Sequence, residues 1–146
     1  MKSKYLLLLG IVSILICFSI SHVFADENVV FSNDPTNITF ESVNFSIPQG
    51  FGMKGEVKDY DGMGSEGKTC VYINNDSCMI KLIVITDWMG ISLDDFKNEN
   101  ATKDNINGHE GWKYHDKKFE YFGYVENNKG VLVATTNSSK FQEVII

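Results

Sequence analysis

The chain has 146 residues and a mass of 16.5 kDa, which is the size of one small domain. All 13 of its basic residues are lysine, and the formal net charge is −6. Nucleic-acid binding relies on basic clusters and on bidentate arginine contacts, so this balance argues against a nucleic-acid partner. Apolar residues make up 43% of the chain, which is enough for a packed core and argues against general disorder.

The first 25 residues have the order of a secretory signal. Lys2 and Lys4 precede a long apolar run, and Val23-Phe24-Ala25 offers a cleavage site. The alternative is an uncleaved anchor, because residues 5–24 as a helix are about 30 Å long and can span a bilayer. In both cases the lysines in front of the run place the rest of the chain outside the cytoplasm.

We therefore predict an extracytoplasmic protein that is secreted or held at the outer face of the membrane or cell envelope. We expect residues 1–25 to form an apolar signal helix, which is either removed or retained as an anchor. Residues 26–36 are then expected to form a linker and residues 37–146 a single domain. Removal of the leader takes two lysines away, so the charge of the mature chain becomes 11 − 19 = −8.

Period-two alternation predicts strands in the first half of the domain. Apolar and polar residues alternate within 38–48, and 51–58 is a weaker strand. The stretch 59–68 is polar and rich in glycine, so we expect a loop there. Residues 69–73 and 78–86 predict a hairpin, and the second of these runs is apolar on both faces for most of its length, as in a central strand.

The second half of the domain begins with a predicted helix. Ser92 can cap this helix with Asp95 at the third position, and the pattern ends near Asn100. Asn137 can cap a short helix at the C-terminus, which we also predict. Between the two helices, strands are predicted at 109–115, 118–126 and 130–136. The sequence thus predicts an α+β domain with a largely antiparallel sheet of about six or seven strands, whose helices cover one face.

Two cysteines follow the leader and flank a turn-forming Asn74-Asn75-Asp76. Outside the cell a disulfide is the usual state of such a pair, and cysteines directly opposite in antiparallel strands lie within reach of each other. We therefore expect a Cys70–Cys78 disulfide across the predicted hairpin. The seven residues between them do not resemble the spacing of a redox pair.

Five Asn-x-Ser/Thr sequons are compatible with the same compartment. Each lies where we expect an exposed position, so we predict a glycoprotein. The alternative is that an asparagine-rich chain contains such triplets by chance. The five asparagines are Asn37, Asn44, Asn75, Asn100 and Asn137.

Several segments together carry a resemblance to known proteins. These are an early S-V-N-F-S-I-P-Q-G-F, a mid-chain S-L-D-D-F, then I-N-G-H-E-G-W-K-Y and a closing F-Q-E-V-I-I. The pattern resembles small secreted proteins of methanogenic archaea that have no assigned function, and its layout is more loosely similar to PsbP-like domains. The resemblance covers residues 38–146, implies a fold and a source class, and implies no catalytic residue.

The polar stretch 59–68 contains two patterns that bind a ligand in other proteins. Its G-x-G-x-x-G, residues 62–67, lacks the preceding strand and following helix of a dinucleotide site, so we expect no cofactor. Asp59, Asp61 and Glu66 are weak candidates for calcium, but the spacing of an EF-hand loop is absent. We interpret them as a solvated acidic loop and predict no metal.

The mature chain has two histidines, His109 and His115. Six residues of strand separate them by about 20 Å, so they cannot bind one metal ion. A small hydrolase would need one of them with an acidic partner and a nucleophile such as Ser65. Nothing in the spacing selects such a set, since Ser65 also lacks the first glycine of a nucleophile elbow.

Aromatic residues gather on the last strands of the predicted sheet. An aromatic stripe with acids can bind a carbohydrate or a peptide, although such side chains also form cores and cross-strand pairs. The candidate binding residues are Trp112, Tyr114 and Tyr124 on these strands, and Trp88, a possible exposed aromatic in the loop just after the central strand.

From these observations we expect a non-catalytic binding or accessory module outside the cytoplasm. Its ligand would be a carbohydrate, a peptide or an envelope protein, and the membrane is involved only through the N-terminal segment. The rival hypothesis is a small extracytoplasmic hydrolase that uses His109 or His115 with an acidic partner.

Overall fold

The computed structural model describes residues 29–62, 65–86 and 90–146. The predicted signal helix at 1–25 lies outside the described residues, and so does Trp88. Within the described part of the chain, no helix is long and apolar enough to cross a membrane.

The described chain is built mainly of antiparallel strands, which confirms a sheet-rich α+β fold. Strands β1 and β2 form a separate hairpin, and the others form one sheet in the order β3-β5-β6-β10-β9-β8-β7, with β4 beside β3 on the same edge of β5. The strands are β1 (Thr36–Phe40), β2 (Val43–Ile47), β3 (Phe51–Met53), β4 (Lys58–Gly62), β5 (Ser65–Asn74), β6 (Met79–Ile85), β7 (Thr102–Ile106), β8 (His109–His115), β9 (Glu120–Glu126) and β10 (Lys129–Thr135).

The two faces of the large sheet are set by the register of its central strands. Val131 of β10 lies opposite Val84 of β6, and Leu132 lies opposite Ile83. Side chains of successive residues point to opposite faces, so Val84 belongs to one face and Ile83 to the other. Because β6 is apolar on both faces, each face of the large sheet carries a hydrophobic cluster.

One side of the sheet, which we call the covered face, carries the main core. The β1–β2 hairpin contributes Val43, Phe45 and Ile47 from the alternating run predicted as a strand, and all three are at most 2% exposed. The helix α1 (Phe141–Val144) packs beside the hairpin and is joined to it by a backbone bridge between Phe45 and Ile145. Full burial of each large apolar side chain contributes about 1.5–3 kcal/mol, so this layer stabilises the fold most.

The opposite side, which we call the aromatic face, has a smaller cover. A 3₁₀ turn at Leu93–Phe96 places the Phe96 ring over Gly123 of β9. A methyl group at Gly123 would stand 2.5 Å from that ring, so glycine is required for the approach. Among the described residues, the Phe96 ring also lies over Gly130 of β10, together with Ile91.

The predicted mid-chain helix over 92–100 is wrong in length and type. Its cap is present, because the Ser92 amide donates to the Asp95 carboxylate at 2.7 Å, but the turn ends at Phe96 and Lys97 is already extended. The residues after Phe96 read Lys-Asn-Glu-Asn and offer no apolar side chain for a second turn to bury. The short C-terminal helix is confirmed: Asn137 accepts from the Ser139 amide, and a 3₁₀ turn leads into α1.

The predicted Cys70–Cys78 disulfide is also wrong, since both residues are free thiols. The register of the hairpin places Cys70 opposite Leu82, while the carbonyl of Cys78 accepts from the amide of Asn74. Cys70 therefore lies four residues from the partner of Cys78, about 13 Å along the strand, whereas a disulfide needs Cα atoms within about 7 Å. The Asn74 side chain accepts from the Cys78 amide at 2.8 Å and fixes the turn at this later position in the chain.

The state of the thiols follows from this register. We expect the intact mass of the native chain to be unchanged by a reductant, because no intramolecular disulfide forms. Cys78 should react with a thiol reagent in the native protein before Cys70, which is 2% exposed and whose thiol pKa burial raises to about 12. Cys78→Ser should remove the early reaction, and a mass gain of two hydrogens on reduction would contradict the register.

Candidate functional site

The candidate site is the part of the aromatic face that the Phe96 turn leaves open. It gathers aromatic side chains from three strands: Tyr60 of β4, Trp112 and Tyr114 of β8, and Tyr121 of β9. The three tyrosines are half-buried, while Trp112 is 8% exposed. Together they form a surface of rings on a packed aliphatic floor.

Tyr114 and Tyr121 form the best-defined pair of this surface. They are direct cross-strand partners, and their rings stack with centroids 4.9 Å apart and planes 11° from parallel. The Tyr121 hydroxyl donates to the Asp116 carboxylate at 2.7 Å. The pair is thereby held in one orientation before any ligand arrives, which reduces the entropic cost of binding.

Asp116 also closes the β8–β9 turn. Its second carboxylate oxygen accepts from the amides of Lys118 and Phe119, each at 2.7 Å. These backbone hydrogen bonds, and next the Tyr121 hydroxyl, hold the pKa of Asp116 below its usual range. Burial, followed by the bond to Asp116, raises the pKa of Tyr121 to about 12, so its phenol stays a hydrogen-bond donor at neutral pH.

Tyr60 lies on the same face of the sheet as this pair, on strand β4 at the other edge. Burial first, and then the charges of Tyr60 and Asp116, raise the pKa of Tyr114. Four strands separate β4 from β8 in the sheet order, and Tyr60 packs against the same hydrophobic cluster as Tyr114 and Tyr121. We call the surface formed by Tyr60, Trp112, Tyr114 and Tyr121 the trough.

Trp112 lies at the covered end of the trough. The ammonium groups of Lys97 and Lys103 stand 5.3 Å and 5.6 Å from the centre of its ring, which is cation–π range. Its indole nitrogen is buried without a hydrogen-bond partner among the described residues, and so is the hydroxyl of Thr69 on the same face. Trp112 thus acts mainly as the floor of the trough.

Tyr124, another candidate from the sequence, does not belong to this surface. Its side chain points to the covered face and is fully buried, between Phe122 and His109. The aromatic stripe predicted from the sequence is therefore divided between two sides of the sheet. Trp112 and Tyr114 are brought together, and Tyr124 is separated from them.

The two histidines are also far apart on β8. His109 lies on the covered face, where its Nδ1 is 3.9 Å from a carboxylate oxygen of Glu126. His115 is exposed at the other end of the strand, beside Asp116. Ser65 begins β5, and three strands lie between β5 and β8, a path of roughly 19 Å along the sheet. The structure gives His109 an acidic partner but does not bring Ser65 to it.

The stretch predicted as an acidic loop is mostly a hairpin of β4 and β5. Asp59 is paired with Lys68 across it, and an open cavity of about 410 Å³ is lined in part by Asp61, Glu66 and Tyr60. Across the described residues, no group of three or more His, Cys, Asp or Glu side chains is close enough to hold a metal ion. Sequence reasoning missed Tyr60 because its strand was read as loop, although Asp59 and Asp61 alternate with Tyr60.

The five sequon asparagines are all exposed. Exposure does not distinguish the sequon asparagines from the others, because eleven of the twelve asparagines in the described ranges are exposed. Asn37 and Asn44 lie on the outer side of the β1–β2 hairpin, and Asn75 is at the β5–β6 turn. None of these three positions is on the aromatic face.

Comparisons with protein families, with curated proteins and with solved structures found no match. The functional interpretation of the aromatic face therefore rests on its geometry and chemistry alone.

The Asp116 hydrogen bonds predict how the stability of the site depends on pH. Because the pKa of Asp116 is lower in the folded protein than in the unfolded chain, its contribution is complete above about pH 4 and is lost as the pH falls through the folded value. We expect the wild type to exceed Asp116→Asn in melting temperature at pH 7, and the difference to shrink below pH 4. Asp61→Asn, at another exposed carboxylate, is the control. A difference that stays constant down to pH 2.5 would contradict this role.

Proposed function

We propose that the protein is a non-catalytic binding module outside the cytoplasm, and that it binds carbohydrate in the trough of the aromatic face. The observation that carries this proposal is the preoriented Tyr114–Tyr121 pair on a half-open sheet face. Sugar rings present apolar C–H faces and many hydroxyls, which suit aromatic rings with polar tips and a nearby carboxylate such as Asp116. The secretory leader predicted from residues 1–25 supports the location.

A carbohydrate fits this surface better than an extended peptide does. Peptides commonly bind by adding a strand to a free sheet edge. The edge strand β7 is exposed and carries Lys103 and Asp104 in its centre, a pattern that protects edges against pairing. The trough instead offers side chains on the surface of the sheet, where a ligand meets rings and hydroxyls rather than free backbone groups.

A second candidate function is the small hydrolase, and the pairing of His109 with Glu126 favours it. A histidine hydrogen-bonded to a carboxylate is half of a nucleophile-activating set, and the 3.9 Å between His109 and Glu126 is too long for that hydrogen bond. The other half would have to come from a hydroxyl or a water molecule on the covered face, because Ser65 is remote. We therefore rank this function below the binding module.

The binding proposal predicts retention by polysaccharides that depends on the tyrosine pair. In affinity electrophoresis against a panel of neutral and acidic polysaccharides, we expect at least one to retard the protein. Tyr114→Ala should weaken that interaction about tenfold, the loss of about 1.4 kcal/mol of ring contact. Tyr72→Ala, at a half-buried tyrosine of the opposite face, is the matched control and should bind normally. No retardation by any member of the panel, or equal losses in both variants, would refute carbohydrate binding at this face.

The proposed location predicts the state of the native chain. We expect protease added to intact host cells to digest a retained protein, or culture medium to contain a released one. The intact mass should correspond to residues 26–146 if the leader is removed and to the whole chain if it is an anchor, with added hexose masses if the sequons are used. A protein that is protected in intact cells and found in the cytosol would exclude the location.

A further inference from the structure

Two lysine side chains converge on the Trp112 end of the trough. The ammonium group of Lys97, just after the 3₁₀ turn, stands 5.3 Å from the centre of the Trp112 ring, and that of Lys103 stands 5.6 Å from it. The sheet holds Lys103 at this place, because β7 pairs it directly with Trp112 of β8. The two ammonium groups are therefore no farther apart than the sum of these two distances. Like charges so placed repel each other, and an anion between them removes that repulsion.

The protein supplies no anion to these two lysines. Among the described residues, no carboxylate lies within ion-pair distance of either one. Asp104 follows Lys103 on β7, so its side chain points to the opposite face of the sheet. Asp95 of the 3₁₀ turn accepts instead from the Ser92 amide at 2.7 Å. The positive charge beside Trp112 is thus left for a ligand to neutralise.

The hydrogen-bonding groups that meet at Trp112 can only donate. The indole N–H is buried without an acceptor among the described residues, and native proteins nearly always satisfy such a donor. Ammonium groups likewise have no acceptor atom. Lys97 and Lys103 are exposed, and their flexible stems let the ammonium groups move to a ligand and uncover the indole. A set made only of donors fits a group that only accepts, such as a carboxylate or a sulfate.

A third lysine lies on the same face, in line with the tyrosine pair. Lys81 has the alternation of Ile83 and Ile85, which belong to the cluster of the aromatic face, so its side chain points to that face. The register places it opposite Ala134, and Ala134 opposite Tyr121. Lys81 is the one charged residue of β6, is half-buried, and makes no ion pair within the described chain. A charge at this place in an apolar central strand costs free energy, which a bound anion would offset.

The carboxylates of this face do not cancel the three lysines. Asp116 is already engaged by the amides of Lys118 and Phe119 and by the Tyr121 hydroxyl. Glu110 shares the alternation of Trp112, but it is exposed on the side of Trp112 away from the tyrosine pair. The formal net charge of the whole chain is −6, so its composition alone does not produce a face with three unpaired lysines. The face is suited by its charge to an acidic ligand.

We propose that the carbohydrate of the trough is acidic and that Lys97, Lys103 and Lys81 bind its anionic groups. This inference rests on the carbohydrate binding proposed above and names the class of its ligand. Tyr114 follows Trp112 by two residues on the same face, about 7 Å along the strand. A sugar stacked on the tyrosine pair therefore places a neighbouring unit of its chain beside Lys97 and Lys103. Uronic acids and sulfate esters share the required chemistry, a negative group whose oxygens accept hydrogen bonds.

Pairs of polysaccharides that differ only in charge test this inference. Affinity electrophoresis at physiological salt compares polygalacturonate with its methyl ester, and dextran sulfate with dextran. We expect at least one acidic polymer to retard the protein, and its neutral counterpart to bind about tenfold more weakly. Added salt should weaken the acidic interaction, because it screens charges on an exposed face. The polymer that binds identifies the anionic group as a carboxylate or a sulfate.

Charge-changing variants then locate the interaction. Lys97→Gln, Lys103→Gln and Lys81→Gln should each weaken binding to the acidic polymer about threefold, and the first two combined about tenfold. Arginine at both of these positions keeps the charge and should bind like the wild type. The matched control combines Lys113→Gln, on the covered face, with Lys140→Gln, beside α1, and should also bind normally. Thermal unfolding of each variant establishes that folded proteins are compared.

The possible failures separate this inference from the function on which it rests. If neutral and acidic polymers bind equally and Tyr114→Ala weakens both, the binding module stands and the acidic ligand is wrong. If the Lys97 and Lys103 double variant binds like the wild type, or loses no more than the matched control, the lysines do not bind the anion. If no polysaccharide retards the protein, the carbohydrate function fails and this inference fails with it.

Discussion

The register between β6 and β10 is the constraint on which the structure depends. These two strands lie at the centre of the sheet and are apolar along both faces, so each residue is committed to one of two cores. A slip by one residue would exchange the faces of every side chain along the strand. It would place Val84 and Leu82 under the Phe96 turn, and Ile83 under the hairpin. The register therefore also decides which aromatic residues of β8 and β9 share a surface.

The two faces differ in how completely they are covered, and this difference separates structure from candidate function. The covered face receives a hairpin and a helix, which bury Phe45 and Phe141 almost fully. Among the described residues, the aromatic face receives one 3₁₀ turn, which can approach because Gly123 has no side chain. The half-buried Tyr114 and Tyr121 are what the smaller cover leaves accessible.

Much of the fold could be predicted from the sequence because local periodicity encodes it. The alternation around Phe45, the apolar run of β6 and the C-terminal cap at Asn137 all appear in the structure. The cap at Ser92 could be recognised too. Whether a helix continues beyond its first turn depends on whether the second turn has apolar side chains to bury in a core. The strand of Tyr60 was hidden because glycine and aspartate dominate its composition, and these residues are typical of loops.

Features that depend on register could not be predicted. The position of the β5–β6 turn decides whether Cys70 meets Cys78, and the side chain of Asn74 fixes that turn two residues beyond the place that pairing requires. His109 and Glu126 are 17 positions apart and become neighbours only through the β8–β9 pairing. The division between Tyr114 and Tyr124 follows from the alternation on both strands and could be derived, but only the structure shows that one face is closed and the other half-open.

Hydroxyl-radical footprinting of the native protein, read by peptide mass spectrometry, tests the two-faced sheet most directly, because it compares tyrosines of both faces in one sample. Tyr114 should be oxidised readily, and Tyr124, which is fully buried, should be protected until the protein unfolds. Oxidation of Tyr124 at the rate of Tyr114 or faster in the folded protein would contradict the register of the sheet and the account built on it.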